Sequence, residues 1–185
     1  MAAYQLGNIK ILLVDDNHYM VLLLRTILSA FGVTRMKQAA NGAEAMDLLK
    51  TFQPDLIITD WRMKPVGGLE LTKMVRYKDN YPLCFTPIII VSGYSDPGSV
   101  VKARRAGINQ YLVKPISPQT LYQRIIWTIE NPLQFQLIDD CYVPVHNQAN
   151  HPDAFPIATQ GIPDDTDGDI VIEDLDDDTN TNFWL

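Results

Sequence analysis

The chain has 185 residues, 46% of them hydrophobic, which suits one well-filled core with an appendage better than two domains. No stretch approaches the roughly 18 consecutive apolar residues of a membrane span, and the opening "MAAYQLGNIK" lacks a signal-peptide plan, so a soluble cytoplasmic protein is expected. The net charge of −7 is divided: all 15 basic residues lie between Lys10 and Arg124, against 10 acidic ones in residues 1 to 130 (+5), while residues 131 to 185 carry 12 acidic and no basic side chains (−12).

In chain order, "IKILLV" (9 to 14) is a continuous apolar run ending in Asp15-Asp16, and Asn17 then caps an apolar-periodic helix to about Phe31. "VTRMKQA" (33 to 39) alternates enough for a short strand. "NGAEAMDLLKTF" opens a second helix with Asn41 and, three residues on, Glu44, a capping-box arrangement. "DLIITD" (55 to 60) is a third strand, and residues 68 to 78 form a third helix anchored by Leu69, Met74 and Val75. "PIIIVSG" (87 to 93) is a fourth buried strand. Asp96 before Pro97 starts a helix that Gly107 ends, "QYLV" (110 to 113) is the fifth strand, and Ser117 before Pro118 starts a last helix to about Glu130.

Five strands alternating with five helices predict an α/β fold with a doubly wound parallel sheet over residues 1 to 130. From 131 to 185 prolines recur and periodicity vanishes, so this stretch reads as an acidic extension largely without fixed structure, its first part to about 145 able to pack on the domain through Phe135, Leu137 and Tyr142. Cys84 and Cys141 lie far apart without metal-ligand spacing and read as ordinary thiols.

In a parallel sheet the carboxyl ends of the strands share one edge. Asp15-Asp16, Asp60, Ser92 and Lys114 all stand there. Three carboxylates repel one another unless compensated, and a hard divalent cation such as Mg²⁺, with Lys114 as a second positive charge, is the expected compensation. A hydroxyl at Ser92 and loop amides after Asp60 complete equipment for stabilising a phosphoryl group on a carboxylate oxygen.

With "LLVDDN", "LIITDW", "IIIVSGY" and "YLVKPIS" in this order, the chain resembles the receiver domain of two-component response regulators over residues 8 to about 130. The resemblance implies the CheY-like, flavodoxin-like strand order 2-1-3-4-5 and a set of roles. Asp60 is then the phospho-accepting nucleophile, Asp16 the direct Mg²⁺ ligand, Asp15 its outer-sphere acidic partner and the Arg62 carbonyl a further ligand. Ser92 is the switch hydroxyl, Lys114 the ion-pairing lysine and Tyr111 the aromatic that swings inward. The Lys114-Pro115 bond would be cis.

The sequence departs from the family where Lys64 precedes Pro65 and where Gly67 replaces a common acidic residue, changing loop stiffness and charge beside the site. Arg62 and Tyr94, bulky groups two residues past Asp60 and Ser92, are placed to obstruct an attacking water, so slow hydrolysis is expected. In the first helix Val21, Leu24, Leu28 and Phe31 can face the sheet while Met20, Leu23 and Ile27 crowd a neighbouring face. That excess fits either a kinase-docking patch or a deeply buried helix. His18 reads as a surface residue beside the site. In the tail, Asp165, Asp167, Gly168, Ile170 and Asp174 resemble part of a calcium loop, but Pro163 takes the first ligand position. Phe183-Trp184-Leu185 could anchor the acidic tail on the basic domain.

The expected function is a stand-alone response regulator, phosphorylated by a histidine kinase or histidine phosphotransfer protein and acting through a protein target. It is not expected to be an enzyme beyond its own phosphorylation and dephosphorylation, nor to contact DNA directly, since the tail would repel phosphates. A phosphotransfer intermediate or phosphate sink is the runner-up. A Mg²⁺-dependent aspartate-nucleophile phosphatase is the rival class, disfavoured because its D-x-D would follow the first strand, where Asp15-Asp16 are adjacent.

Overall fold

Apolar runs that can be buried on both faces become the inner strands of a parallel sheet. In the computed structural model, which describes residues 6–145, these are β1 (Lys10–Val14), β3 (Leu56–Asp60) and β4 (Ile88–Ser92), with β2 (Arg35–Ala39) and β5 (Gln110–Val113) at the edges. The order is β2-β1-β3-β4-β5, all parallel, as expected. The expectations for the acidic tail, its calcium-like loop and Phe183-Trp184-Leu185 lie outside the described residues.

Five helices connect the strands: α1 (His18–Ala30), α2 (Gly42–Leu49), α3 (Gly68–Arg76), α4 (Pro97–Ala106) and α5 (Pro118–Glu130). Their starts follow the capping signals. The Asn17 side chain accepts from Tyr19 and Met20 N–H groups, Asp96 from Ser99 N and Ser117 from Thr120 N. At α2 Asn41 accepts from Glu44 N, and Glu44 reaches back to Ala40 N rather than to the cap residue itself. Gly107, at φ 103, ends α4 in the left-handed region.

Alternation divides the core. Ile11, Leu13, Ile58, Ile89, Val91 and Leu112 face α1 and α5, while Leu12, Val14, Ile57, Ile88, Ile90 and Tyr111 face α2, α3 and α4. Each buried Leu or Ile side chain contributes about 1.5–3 kcal/mol. On α1, Ile27 is buried with Val21, Leu24 and Leu28, contrary to its expected place on a side face, and Tyr19, Leu22 and Leu23 are its exposed large hydrophobic residues. Phe31 is half-buried, edge-on to Tyr122.

The third helix differs from expectation most. It ends at Arg76, two residues early, and buries Leu71, Thr72, Val75 and Arg76, while the expected anchor Met74 is exposed. Arg76 is wholly buried without a carboxylate partner among its recorded hydrogen bonds. Its guanidinium donates to the carbonyls of Gly107 (2.8 Å), Cys84 (2.7 Å) and Thr86 (2.7 Å) and to Asn109 Oδ1 (3.0 Å). Burial lowers its pKa to about 9, which leaves it charged at neutral pH.

Fixed structure also continues past residue 130, where the sequence reading closes the domain. β6 (Phe135–Ile138) and β7 (Cys141–Pro144) form an antiparallel hairpin on a two-residue turn, Asp139 and Asp140, with φ of 46° and 62°. Phe135 and Tyr142 pack on Phe85, Phe135 also covers the Arg76 guanidinium, and Lys78 pairs with Asp140. Leu137, expected to pack, is 55% exposed. Cys84 and Cys141 are free thiols.

Candidate functional site

Parallel pairing in register brings the ends of β1, β3, β4 and β5 to one edge, and the expected residues follow. Asp60 is the last residue of β3, Ser92 the last of β4, and Asp15 and Lys114 directly follow β1 and β5. Lys114 Nζ donates to Asp60 Oδ1 at 2.5 Å and to Asp15 Oδ2 at 3.4 Å, so one ammonium joins three strands. The Lys114-Pro115 bond that follows is cis, as the resemblance implies; Lys64-Pro65 is cis too.

Burial pushes the Asp15 carboxyl above the usual range, opposed by the Asn17 N–H and by Lys114 and reinforced by Asp60. For Lys114 burial works against the charge, but Asp60 and Asp15 outweigh it and the pKa is raised. The three-carboxylate cluster expected from the strand ends is not formed. Among the described residues no three His, Cys, Asp or Glu side chains gather to hold a metal, and Asp16 is exposed. Lys114 compensates Asp15 and Asp60 directly, and Asp16 is exposed beside them, lining the same recess as Asp15 and Glu44. What remains is an all-oxygen donor set of carboxylates and loop carbonyls, suited in kind to a hard divalent cation that keeps several waters.

The loop after β3 closes over the nucleophile candidate. Arg62 N–H donates to Asp60 Oδ2 at 2.7 Å, and the Arg62 guanidinium lies over the Tyr94 ring, 4.3 Å from its centroid. Tyr94 is a node that sequence reading assigned only to blocking water. Its N–H donates to Ser92 Oγ (3.0 Å), and its carbonyl accepts from the Tyr111 hydroxyl (2.8 Å). Tyr111 is therefore inward already, 2% exposed and edge-on to Trp61 at 6.0 Å. Burial raises its pKa, with a Ser92 hydrogen bond opposing. His18 is exposed and, with Asp15, Asp16 and Glu44, lines a recess of about 150 Å³ beside the site.

Gly68 fixes how near α3 approaches the site. A Cβ at this position would stand 2.0 Å from the Asp60 carbonyl oxygen and 3.0 Å from Thr59 Oγ1. Backbone cannot yield as a flexible side chain can, so Gly68→Ala is expected to displace Asp60 or the start of α3 and to destabilise the fold by about 1–3 kcal/mol. Urea unfolding would check the cost.

A family model for the response regulator receiver domain matches residues 11–126. A chemotaxis protein CheY homolog of Campylobacter jejuni is 38% identical over 117 residues, covering 63% of this chain and 88% of that protein. CheY-3 of Vibrio cholerae is 30% identical over 118 residues, 64% of this chain and 89% of the relative. Among solved structures, CheY4 of Vibrio cholerae superposes with a TM-score of 0.59 at 30% identity, covering 64% of this chain and 96% of that one. The receiver domain of the Francisella response regulator 1452 gives 0.59 at 30% identity, covering 67% and 100%.

Proposed function

The chain belongs to the response regulator receiver family of two-component signalling, and from that premise we propose a phosphorylation-switched protein-binding module that accepts its phosphoryl group on Asp60. The observation that carries this reading is the Lys114 ammonium held between Asp60 and Asp15 at the carboxyl edge of the sheet. A carboxylate oxygen of Asp60 attacks the phosphorus of a phosphohistidine on a kinase or phosphotransfer partner. The new O–P bond forms as the N–P bond breaks, and the imidazole leaves carrying the electron pair and takes up a proton. Lys114, which pairs with the carboxylate before transfer, stays to neutralise the phosphoryl oxygens after it. Asp16, Asp15, Asp60 and the Arg62 carbonyl would hold Mg²⁺, which supplies charge neutralisation at the phosphoryl group.

Transfer would break the short Lys114 to Asp60 contact and offer Ser92 Oγ a charged acceptor. Since Ser92 Oγ now accepts from Tyr94 N–H, its own proton can be donated to that acceptor. Tyr111 and Tyr94 are joined to it, so the change is relayed to the loop after β4 and to α4, the surface a target protein would read.

Incubation with Mg²⁺ and a small acyl-phosphate donor, followed by intact-protein mass spectrometry, is the test. One phosphoryl adduct of about 80 Da, lost when Mg²⁺ is chelated, supports the reading. No adduct in any buffer would refute it.

The module has no turnover of its own beyond gaining and losing that group, makes no direct DNA contact and works in the cytoplasm. The Arg62 guanidinium stacked on Tyr94 favours a persistent switch over a phosphate sink, because the stack joins two bulky groups, two residues past Asp60 and two past Ser92, that would obstruct an attacking water. Arg62→Asn is therefore expected to shorten the half-life of the phosphorylated protein about tenfold, some 1.4 kcal/mol of barrier. An unchanged decay rate would show that the stack does not exclude water.

A further inference from the structure

The pole opposite Asp60 carries a groove of about 500 Å³. Ile9, Asp55, Pro87 and Asn109, which sit just before β1, β3, β4 and β5, form its floor, and Leu133 and Phe135 form its outer wall. This wall, Leu133 and the first residue of the hairpin, lies outside the residues matched by the family model.

The pairing register shows which edge of the hairpin is free. Val145 N–H donates to the Gln134 carbonyl, and Gln136 faces Val143 and Ile138 faces Cys141 around the two-residue turn. Those are the hydrogen-bonded pairs, so the N–H and C=O groups of Phe135 and Leu137 point away from β7. Among the described residues no backbone group pairs with them on that side. Soluble proteins protect such an edge with charge, proline or a bulge. Here it reads Phe-Gln-Leu-Ile, uncharged, and Phe135 belongs both to the edge and to the groove.

We propose that this edge and groove receive residues 169 to 175 of the same chain, "DIVIEDL", as an added strand. Backbone bonds to Phe135 and Leu137 would hold it, with Ile170 and Ile172, on one face of the strand, entering the groove while Val171 faces out. Three consecutive β-branched residues make this the strand-forming stretch of the acidic region, and it contains no proline. Its tether begins nearby, at Val145 paired with Gln134 between Leu133 and Phe135: 24 residues separate Val145 from Ile170, a flexible reach of roughly 25–30 Å. At that length the effective concentration is millimolar. Net charge favours return of this segment to the domain as a whole, since residues 6 to 145 carry 15 basic and 12 acidic side chains and residues 146 to 185 carry 10 acidic and none basic, while the groove itself is apolar apart from Asp55, Asn109 and Thr128. Arg105 is exposed at the end of α4, two residues before the Gly107 carbonyl that Arg76 holds.

Amide hydrogen exchange on the full chain tests this without reference to Asp60. The amides of Phe135 and Leu137 are expected to exchange at least about tenfold more slowly than in an Ile170→Ser, Ile172→Ser double variant, with the β1 and β4 amides unchanged in both as the control of folding. A synthetic peptide of residues 168 to 176 should restore protection to the variant. Fast exchange of both amides in the wild type overturns the proposal, as does protection that survives the double substitution. Protection that disappears on dilution also overturns it and assigns the edge to a second copy of the chain.

Discussion

Replacing Asp60 with alanine is expected to abolish the phosphoryl adduct completely while leaving the fold intact. Asp60 is the carboxylate here that ends an inner strand, is half-buried and faces both a fixed ammonium and a loop N–H. The neighbouring carboxylates are poorer nucleophiles for different reasons. Asp15 is buried, with one oxygen accepting from Asn17 N–H and the other beside Lys114, and its raised pKa reflects that cost. Asp16 is exposed and has no recorded ion pair to Lys114. The fold should tolerate the change because Lys114 retains Asp15, and removing one of two like charges eases the other. Intact mass after acyl-phosphate treatment and circular dichroism of the same sample together check both halves. A residual adduct in Asp60→Ala, mapped to Asp16 or Ser92, would sink the assignment of the nucleophile.

How much of this was legible in the sequence depends on the range of the forces involved. β1, β3 and β4 were readable because burial on both faces leaves a continuous apolar run, and α4 and α5 because the cap and proline signals are local. β2 is an edge strand with mostly exposed side chains, "RMKQA", and its start was placed two residues early. The Lys114 to Asp60 contact followed from strand topology, and Lys114, expected as a second positive charge there, joins Asp60 and Asp15 directly. Tyr94 as an acceptor for Tyr111 depends on a backbone carbonyl, which carries no residue-type signal. The hairpin was missed because Asp139-Asp140 takes positive φ angles without the glycine that marks such turns. Arg76 was missed because a basic residue in the last turn of a helix ordinarily serves the dipole from the surface. Its acceptors lie 8 to 33 residues further on, where no local pattern can reveal them.

Arg76→Met is expected to destabilise the protein by about 3–5 kcal/mol, the largest stability loss from a residue remote from the acceptor site. Two effects oppose each other. Methionine removes a buried charge that has no carboxylate partner, which by itself would stabilise. It also strands the carbonyls of Gly107, Cys84 and Thr86, which no substitution can delete, at about 1–3 kcal/mol for each one left unsatisfied. Asn109 Oδ1 loses one donor but keeps Ile88 N–H. Three stranded acceptors outweigh one relieved desolvation, and loss of the contact with Phe135 adds to the balance. Lysine, with three donors on a single nitrogen, cannot span four acceptors around a planar fork, so Arg76→Lys should fall between the two. Urea unfolding of the three proteins checks the order. Hydrogen exchange over residues 135 to 144 should show the hairpin opening first, while phosphoryl acceptance at Asp60 persists wherever the variant remains folded, because Asn109 and Thr86 lie at the starts of strands whose ends build the site. Equal unfolding midpoints for wild type and Arg76→Met would mean that waters replace the guanidinium at all three carbonyls, and that the hairpin is held by its rings alone.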